Sequence, residues 1–309
     1  MNGRATGVRP VIFGEVLFSV SLGGKETMGG SPFLTAWNLA GLGLNPLFIT
    51  RIGMDERGKT ILAAMTKFGM DTSGVQRDKF LPTGVLASDS VEKKQKLGIP
   101  EAQAFDAIDK EEALEAAQRA GGAAILYHGT LTARSRVSLT ALEHLKRSLN
   151  CPVYVDVNIR APWVTTDTAL DMVKGANCVQ LCRQDFEQMI ISCSFVGLDF
   201  LGMAGYLRDV SSADSLIVTL GKSGAILSTK LASIEIKQKL RPTVVDAEGC
   251  GEAFAAVVIA GMVKGWPMTQ SVTRANEFAA AICQMKGEFT QEKEFYTSMA
   301  KKLEIPQPA

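Results

Sequence analysis

Val244-Val245-Asp246-Ala247-Glu248-Gly249-Cys250-Gly251-Glu252-Ala253-Phe254 reads as a β-branched run entering a two-glycine turn, which an apolar helix leaves through Ala255, Val258, Ile259 and Met262. A strand, a glycine turn and a helix start together aim free backbone N–H groups at an anion, and the helix dipole adds partial positive charge. Glu252, in the first helical turn, is then a carboxylate held beside a bound phosphate, where a general base would stand. The plainer alternative is an N-terminal helix carboxylate favoured by the dipole alone. Glu248 sets a second negative charge on the rim of the same turn, where it opposes phosphate.

Outward from this turn, short apolar β runs alternate with amphipathic helices. The strands expected are Val11–Phe13, Leu47–Thr50, Ala124–Tyr127, Val153–Val157, Cys178–Leu181, Leu216–Thr219 and Ala225–Ser228. Among the helices expected between them are Phe33–Leu42, Gly58–Phe68, Lys110–Ala120, Ser135–Leu149 and Thr168–Lys174. Continuous apolar strands separated by helices imply a mainly parallel sheet covered on both faces, with ligands at the carboxyl ends of its strands. Two polar-edged, glycine-containing segments, 16–28 and 83–99, break the rhythm and read as a small β lid. Lys93, Lys94 and Lys96 in the second are a solvated turn. The tail from Glu288 to Ala309 reads as a charged surface helix ending in Pro306 and Pro308.

With 309 residues, 46% of them hydrophobic, the chain suits one large domain or two small ones. A net charge of +1 calls for neither nucleic acid nor an acidic surface. Cys151, Cys178, Cys182, Cys193, Cys250 and Cys283 are scattered through a long chain, so reduced, buried thiols are expected rather than a disulfide framework. His128 and His144, without a Cys-x-x-Cys pair, do not make a structural zinc site. Met1–Pro10 is basic but is followed by no apolar export segment. The longest apolar helix, Phe254–Val263, is about half the ~20 residues of a membrane span, so a cytoplasmic protein with no membrane partner is expected.

Single motifs decide little. Thr219-Leu220-Gly221-Lys222-Ser223-Gly224 contains Gly-Lys-Ser, but a Walker loop needs glycine where Leu216 stands, and a tight hairpin is the simpler account. Phe254 likewise occupies the third glycine position of a dinucleotide fingerprint. Asp156-Val157-Asn158-Ile159-Arg160 follows an apolar strand, where it either lines a crevice or forms a salt-bridged loop stopped by Pro162. Gly29-Gly30-Ser31-Pro32 either admits a ligand close to the backbone or merely punctuates a helix entry.

Their order is more telling. Gly14-Glu15, Gly29-Gly30-x-Pro32, Arg51-Ile52-Gly53-x-Asp55-x-x-Gly58, Gly69-Met70-Asp71-Thr72-Ser73-Gly74-Val75, Pro82-Thr83-Gly84, Asp156-x-Asn158-x-Arg160, Thr219-Leu220-Gly221-x-x-Gly224 and the passage from Asp246 to Phe254 resemble, from about residue 11 to 287, the PfkB (ribokinase-like) carbohydrate kinases. Ile99-Pro100-Glu101-Ala102-Gln103-Ala104-Phe105-Asp106 looks most like the fructokinase-type branch. The resemblance implies a single three-layer α/β domain over 1–309, with a small β lid through which a homodimer would form. It also implies transfer of the ATP γ-phosphoryl group to a sugar hydroxyl with Mg2+. Carried over by position, Glu252 is the base and Gly249, Cys250 and Gly251 form the anion hole. Gly221, Gly224, Asp246 and Glu248 fall on the nucleotide side. Ser19, Gly29, Gly30, Leu34 and Arg160 face the substrate, and Asp185 falls at the metal-associated element.

The chain departs from that pattern at the chemistry. Glu252 replaces the family's aspartate, and Glu248 stands where threonine is usual. Ser19 replaces a sugar-binding aspartate and Leu34 an asparagine. Cys182-Arg183-Gln184-Asp185 replaces Asn-x-x-Glu. An active sugar kinase, a pseudokinase that binds sugar or nucleotide or acts as a scaffold, and a kinase with another acceptor all remain open at this point.

Overall fold

The computed structural model describes residues 8–21, 23–87, 98–193, 197–239 and 243–305. Residues 1–7 of the basic N-terminus, Lys93, Lys94, Lys96 and the rest of 88–97 in the second lid segment, and Pro306 and Pro308 lie outside the described residues.

Among the described residues the strands are β1 (Arg9–Phe13), β2 (Leu17–Val20), β3 (Glu26–Gly29), β4 (Leu47–Gly53), β5 (Val75–Asp78), β6 (Gly84–Ala87), β7 (Ala123–Gly129), β8 (Val153–Val157), β9 (Cys178–Cys182), β10 (Ser215–Thr219), β11 (Gly224–Thr229) and β12 (Ser233–Lys237). The helices are α1 (Ser31–Gly41), α2 (Glu56–Phe68), α3 (Lys110–Arg119), α4 (Arg136–Leu149), α5 (Thr166–Val173), α6 (Arg183–Ser192), α7 (Phe200–Val210), α8 (Cys250–Lys264), α9 (Met268–Ile282) and α10 (Lys293–Lys302). Nine strands form one sheet in the order β12-β11-β10-β9-β8-β7-β1-β4-β5. It is parallel from β10 to β5 and antiparallel where β11 and β12 add to one edge. A second sheet, β3-β2-β6, is the expected lid. Its β2–β3 pair is antiparallel and its β2–β6 pair parallel.

Alternation along the strands makes the three layers. Ile12, Tyr127, Tyr154 and Ile217 join the core under α1, α8, α9 and α10, while Val11, Leu126, Val155 and Leu216 join the cores under α3 to α7. Successive strand side chains point to opposite faces, so strands covered on both sides are apolar throughout. Helix α8 is buried continuously from Ala253 to Gly261 because it is packed against α1 and α9 as well as the sheet. Trp37 of α1 stacks on Phe68 with ring centroids 4.1 Å apart and donates through Nε1 to Thr290 O at 2.9 Å. That bond fastens the segment between α9 and α10 beside the start of α1.

Three expectations need correction. Val244-Val245 is not a strand: the N–H groups of Val245 and Asp246 both bond to Cys283 O, at 2.8 and 3.2 Å, and Val245 is exposed. A β-branched pair with no neighbouring strand edge is tied to the end of α9 instead. The thiols are not all reduced and buried: Cys250 is bonded to Cys283, with Cα atoms 5.9 Å apart, and of the free cysteines only Cys178 is buried. The pairing follows from α8 starting where α9 ends, a proximity invisible in the spacing. Among the described residues the tail's helix is α10, and it buries Tyr296, Met299 and Ala300 rather than lying on the surface.

Candidate active site

β1 lies between β7 and β4, so the chain leaves it in both directions and a crevice opens at the carboxyl ends of the central strands. A cavity of about 310 Å³ sits there, reached by Glu15 after β1, Asp156 and Arg160 at and beyond the end of β8, and Glu252 of α8. Ser19 and Leu86 of the lid sheet close over it.

The turn from Ala247 to Glu252 forms one wall. Gly249 takes φ 78° as the N-cap of α8 and offers no side-chain cap. A Cβ there would lie 2.0 Å from Glu288 O, so only glycine fits. The first backbone bond of α8 runs from Ala253 N to Gly249 O at 3.0 Å, which leaves the amides of Cys250, Gly251 and Glu252 at the open helix end. A Cβ built on Gly251 meets nothing within 4 Å. Asp246 braces the turn from behind, accepting from Glu248 N at 3.0 Å and Gly287 N at 3.1 Å.

Hydrogen bonds fix the acidic groups. Ser31, the first residue of α1, donates through Oγ to Glu252 Oε1 at 2.6 Å. Tyr127 Oη donates to Asp156 Oδ2 at 3.0 Å. Gln180 Nε2 bridges Asp156 Oδ1 at 3.3 Å and Gly251 O at 3.0 Å, so the floor of the cavity is linked to the first turn of α8. Burial pushes the Glu15 carboxyl up to about 7, against the opposing charge of Arg160 and with the added repulsion of Glu252. Burial, then the charges of Glu248, Glu252 and Asp246, raise Glu288 to about 7. Asp156 stands well above the ordinary carboxylate range through burial and the charge of Glu252.

On the other side of the turn lies a second cavity of about 520 Å³, between the hairpin joining β10 to β11 and helices α8 and α9. Gly221, Gly224, Phe254, Asn276 and Ala279 line it, with Arg183 and Lys222 supplying positive charge. Thr219–Gly224 is the hairpin that the sequence suggested, and its glycines face this cavity. Ala247 lines both cavities, so the turn is their common wall.

The structure therefore gathers Ser19, Gly30, Leu34, Arg160, Gly249 and Glu252 on one cavity, and Gly221, Gly224, Cys250 and Gly251 on the other. Glu248, expected on the nucleotide side, lines the smaller cavity. Gly29 lies behind that cavity's lining, against the Glu288 carboxyl, and Asp246 is a brace. Asp185 lines neither cavity. It is buried, the Cys182 thiol donates to its Oδ2 at 3.3 Å, and burial raises its pKa. A magnesium ion takes one or two ionised carboxylates besides phosphate oxygens and waters. Asp185 does not fit as a direct ligand, and among the described residues no group of three or more His, Cys, Asp or Glu side chains is placed to hold a metal. No step is assigned to the ion.

Ser31, Gln180 and Glu288 carried no role in the sequence reading. Ser31 had a legible signal, a hydroxyl at a helix entry after paired glycines. Glu288 had none, because it reaches the cavity through tertiary ties of its segment, Gly287 N to Asp246 and Trp37 to Thr290 O.

A profile described as pfkB family carbohydrate kinase matches residues 22–293. The 2-dehydro-3-deoxygluconokinase of Bacillus subtilis is 27% identical over 291 residues, covering 89% of this chain and 86% of that protein. The ATP-dependent 6-phosphofructokinase isozyme 2 of Mycobacterium tuberculosis is 33% identical over 87 residues, which is 28% of this chain and only 25% of that protein's length. The crystal structure of a fructokinase with bound ATP from Xylella fastidiosa superposes with a TM-score of 0.81 at 16% identity, covering 96% of this chain and 99% of that one, a likeness of fold. Among the described residues no helix is long and apolar enough to cross a membrane.

Proposed function

The chain belongs to the pfkB family of carbohydrate kinases, and from that premise we propose that it transfers the γ-phosphoryl group of ATP to a hydroxyl of a fructokinase-type sugar held in the smaller cavity. One observation carries the proposal: the Ala247–Glu252 turn is the shared wall of two cavities, one sized and charged for a nucleotide and one holding a carboxylate. A nucleotide lying along Gly221 and Gly224 would bring its terminal phosphate to the open amides of α8. A sugar on the other side would bring a hydroxyl to Glu252. The Ser31 hydroxyl holds that carboxylate in one rotamer. As the hydroxyl oxygen attacks phosphorus, Glu252 takes its proton, the bond to the ADP oxygen breaks, and the N–H groups of Cys250, Gly251 and Glu252 stabilise the transferring charge.

The base stands one methylene beyond the family's aspartate. A displacement near 1 Å costs about a hundredfold when positioning carries the catalysis, so the expected enzyme is slow. A pseudokinase that binds sugar without transfer is the second reading, and the acid lining of the smaller cavity, which opposes an incoming phosphate, favours it.

The test is ADP release measured over a panel of sugars with Mg-ATP, on the parent and Glu252→Gln. Turnover that falls about 10²- to 10⁴-fold in the variant supports transfer with Glu252 as base. Sugar binding with no turnover in either protein moves the assignment to the pseudokinase.

A further inference from the structure

The smaller cavity is an unusual place to put an uncharged sugar. Glu15, Asp156, Glu248, Glu252 and Glu288 all line it, and Arg160, which is exposed, is the one lysine or arginine among the described lining residues. Arg134, the next cation in electrostatic reach of Glu15, is held by Asp106, with Nε 2.7 Å from Oδ1. The charge of Glu252 acts on Glu15, Asp156 and Glu288 alike, so each of the three lies in its field.

Glu15 supplies an independent observation. Its side chain is 6% exposed, lines the cavity, and has an Oε2 with no hydrogen-bond partner. A buried acceptor left unpaired is unfavourable, and more so when charged, so such an atom marks the position of a missing donor. Glu288 is fixed on another wall, its Oε2 2.6 Å from where a Cβ on Gly29 would stand, so the paired glycine there makes room for a carboxyl. Neutral hydroxyls can donate to these groups but leave the mutual repulsion of the carboxylates in place. An acidic or phosphorylated sugar adds to it. A protonated amine both donates to Glu15 and removes the repulsion, and charge-assisted bonds of that kind are roughly twice as strong as neutral ones.

We propose that the acceptor is an amino sugar or amino polyol, whose ammonium group pairs with Glu15 in the field of the other lining carboxyls while a neighbouring hydroxyl faces Glu252. The proposal rests on the smaller cavity being the sugar site. Repulsion of anionic sugars by the same carboxylates then supplies the other half of the specificity.

The experiment is calorimetric titration of the full chain, without nucleotide, with three matched pairs: glucosamine and glucose, mannosamine and mannose, 1-amino-1-deoxyfructose and fructose. N-Acetylglucosamine and fructose 6-phosphate serve as neutralised and anionic comparators. At least one amine is expected to bind about tenfold or more tightly than its parent sugar. N-Acetylglucosamine should lose that advantage, and fructose 6-phosphate should not bind. Glu15→Gln should cut the amine-to-parent ratio to within about threefold, and Glu288→Gln supplies the same readout at the rim if Glu15→Gln does not fold. Amines and parents that bind equally overturn the amine assignment and leave the sugar site standing. No binding by any of the sugars overturns both. An amine preference unchanged in both variants overturns the pairing with Glu15.

Discussion

The two cavities on either side of the Gly249–Glu252 turn share a wall and little else. The larger is apolar, with Phe254 and Ala279 on its sides and Arg183 and Lys222 as its charges. Among the described residues, the smaller is lined by five carboxyl groups and one arginine. The same helix N-terminus thus presents its amides between a neighbourhood that attracts phosphate and one that repels it. In the proposed assignment a polyanion reaches those amides from the hairpin side, and the carboxyls on the lid side favour a neutral or positive ligand. Glu248 belongs to that second neighbourhood, which explains how one turn can carry both an anion hole and an acid.

The bridge between Cys250 and Cys283 is a feature of the larger cavity, which both residues line. Cys283→Ser is expected to lower unfolding stability in urea by about 3–4 kcal/mol, the loop-closure value for a loop of this length. It should weaken ATP binding while leaving sugar affinity within twofold. Equal losses on both sides would erase the distinction between the cavities.

Glu248→Thr combined with Glu252→Asp removes one charge from the smaller cavity and draws the base back by one methylene. Turnover is expected to rise by about a hundredfold, the scale of a 1 Å correction. A double variant indistinguishable from the parent in turnover and nucleotide affinity would sink the account of the turn.

Ala279→Phe fills part of the larger cavity from the face of α9. ATP affinity is expected to drop about tenfold, ~1.4 kcal/mol, with sugar affinity unchanged. A drop in sugar binding instead would mean that the two ligands had been placed on the wrong sides.

The fold was legible because its signals are local. Strands β1, β7, β8, β9 and β10 are apolar on consecutive positions, and a strand covered on both faces needs that. Helix α2 was expected over Gly58–Phe68 and begins two residues earlier, at Glu56, because Asp55 caps it; Gly69 ends it. Val244-Val245 failed because β propensity is realised only beside a strand edge, and its amides went to Cys283 O. Half of the site was legible through motif order. The acid cavity was not, because Glu15, Asp156, Glu252 and Glu288 are far apart in sequence, and no motif showed that their carboxyls meet. The place of β1 between β4 and β7, the Gln180 bridge from Asp156 to Gly251, and the ties of Gly287 to Asp246 and Thr290 to Trp37 bring them together.

That convergence has a consequence for pH that the larger cavity does not share. Glu15 and Glu288 hold their protons in the folded protein up to about 7, against an ordinary value of 4.5. Between those two values the folded state binds more protons than the unfolded chain. The slope of unfolding free energy with pH is therefore negative, and the protein loses stability as pH rises from about 4.5 to 7, after which these groups add no further change. Each can contribute up to ~1.4 kcal/mol per pH unit, less for Glu288, which is only partly buried and screened by solvent. Urea unfolding at pH 5, 6 and 7 should show this fall, and Glu15→Gln should flatten it more than Glu288→Gln. A bound amine should flatten it too, because a cation beside the carboxyls restores them toward their ordinary range and removes the difference between folded and unfolded proton binding. ATP in the larger cavity should leave the slope alone, and a slope that responds to ATP but not to an amine would reverse the roles given to the two sides of the turn.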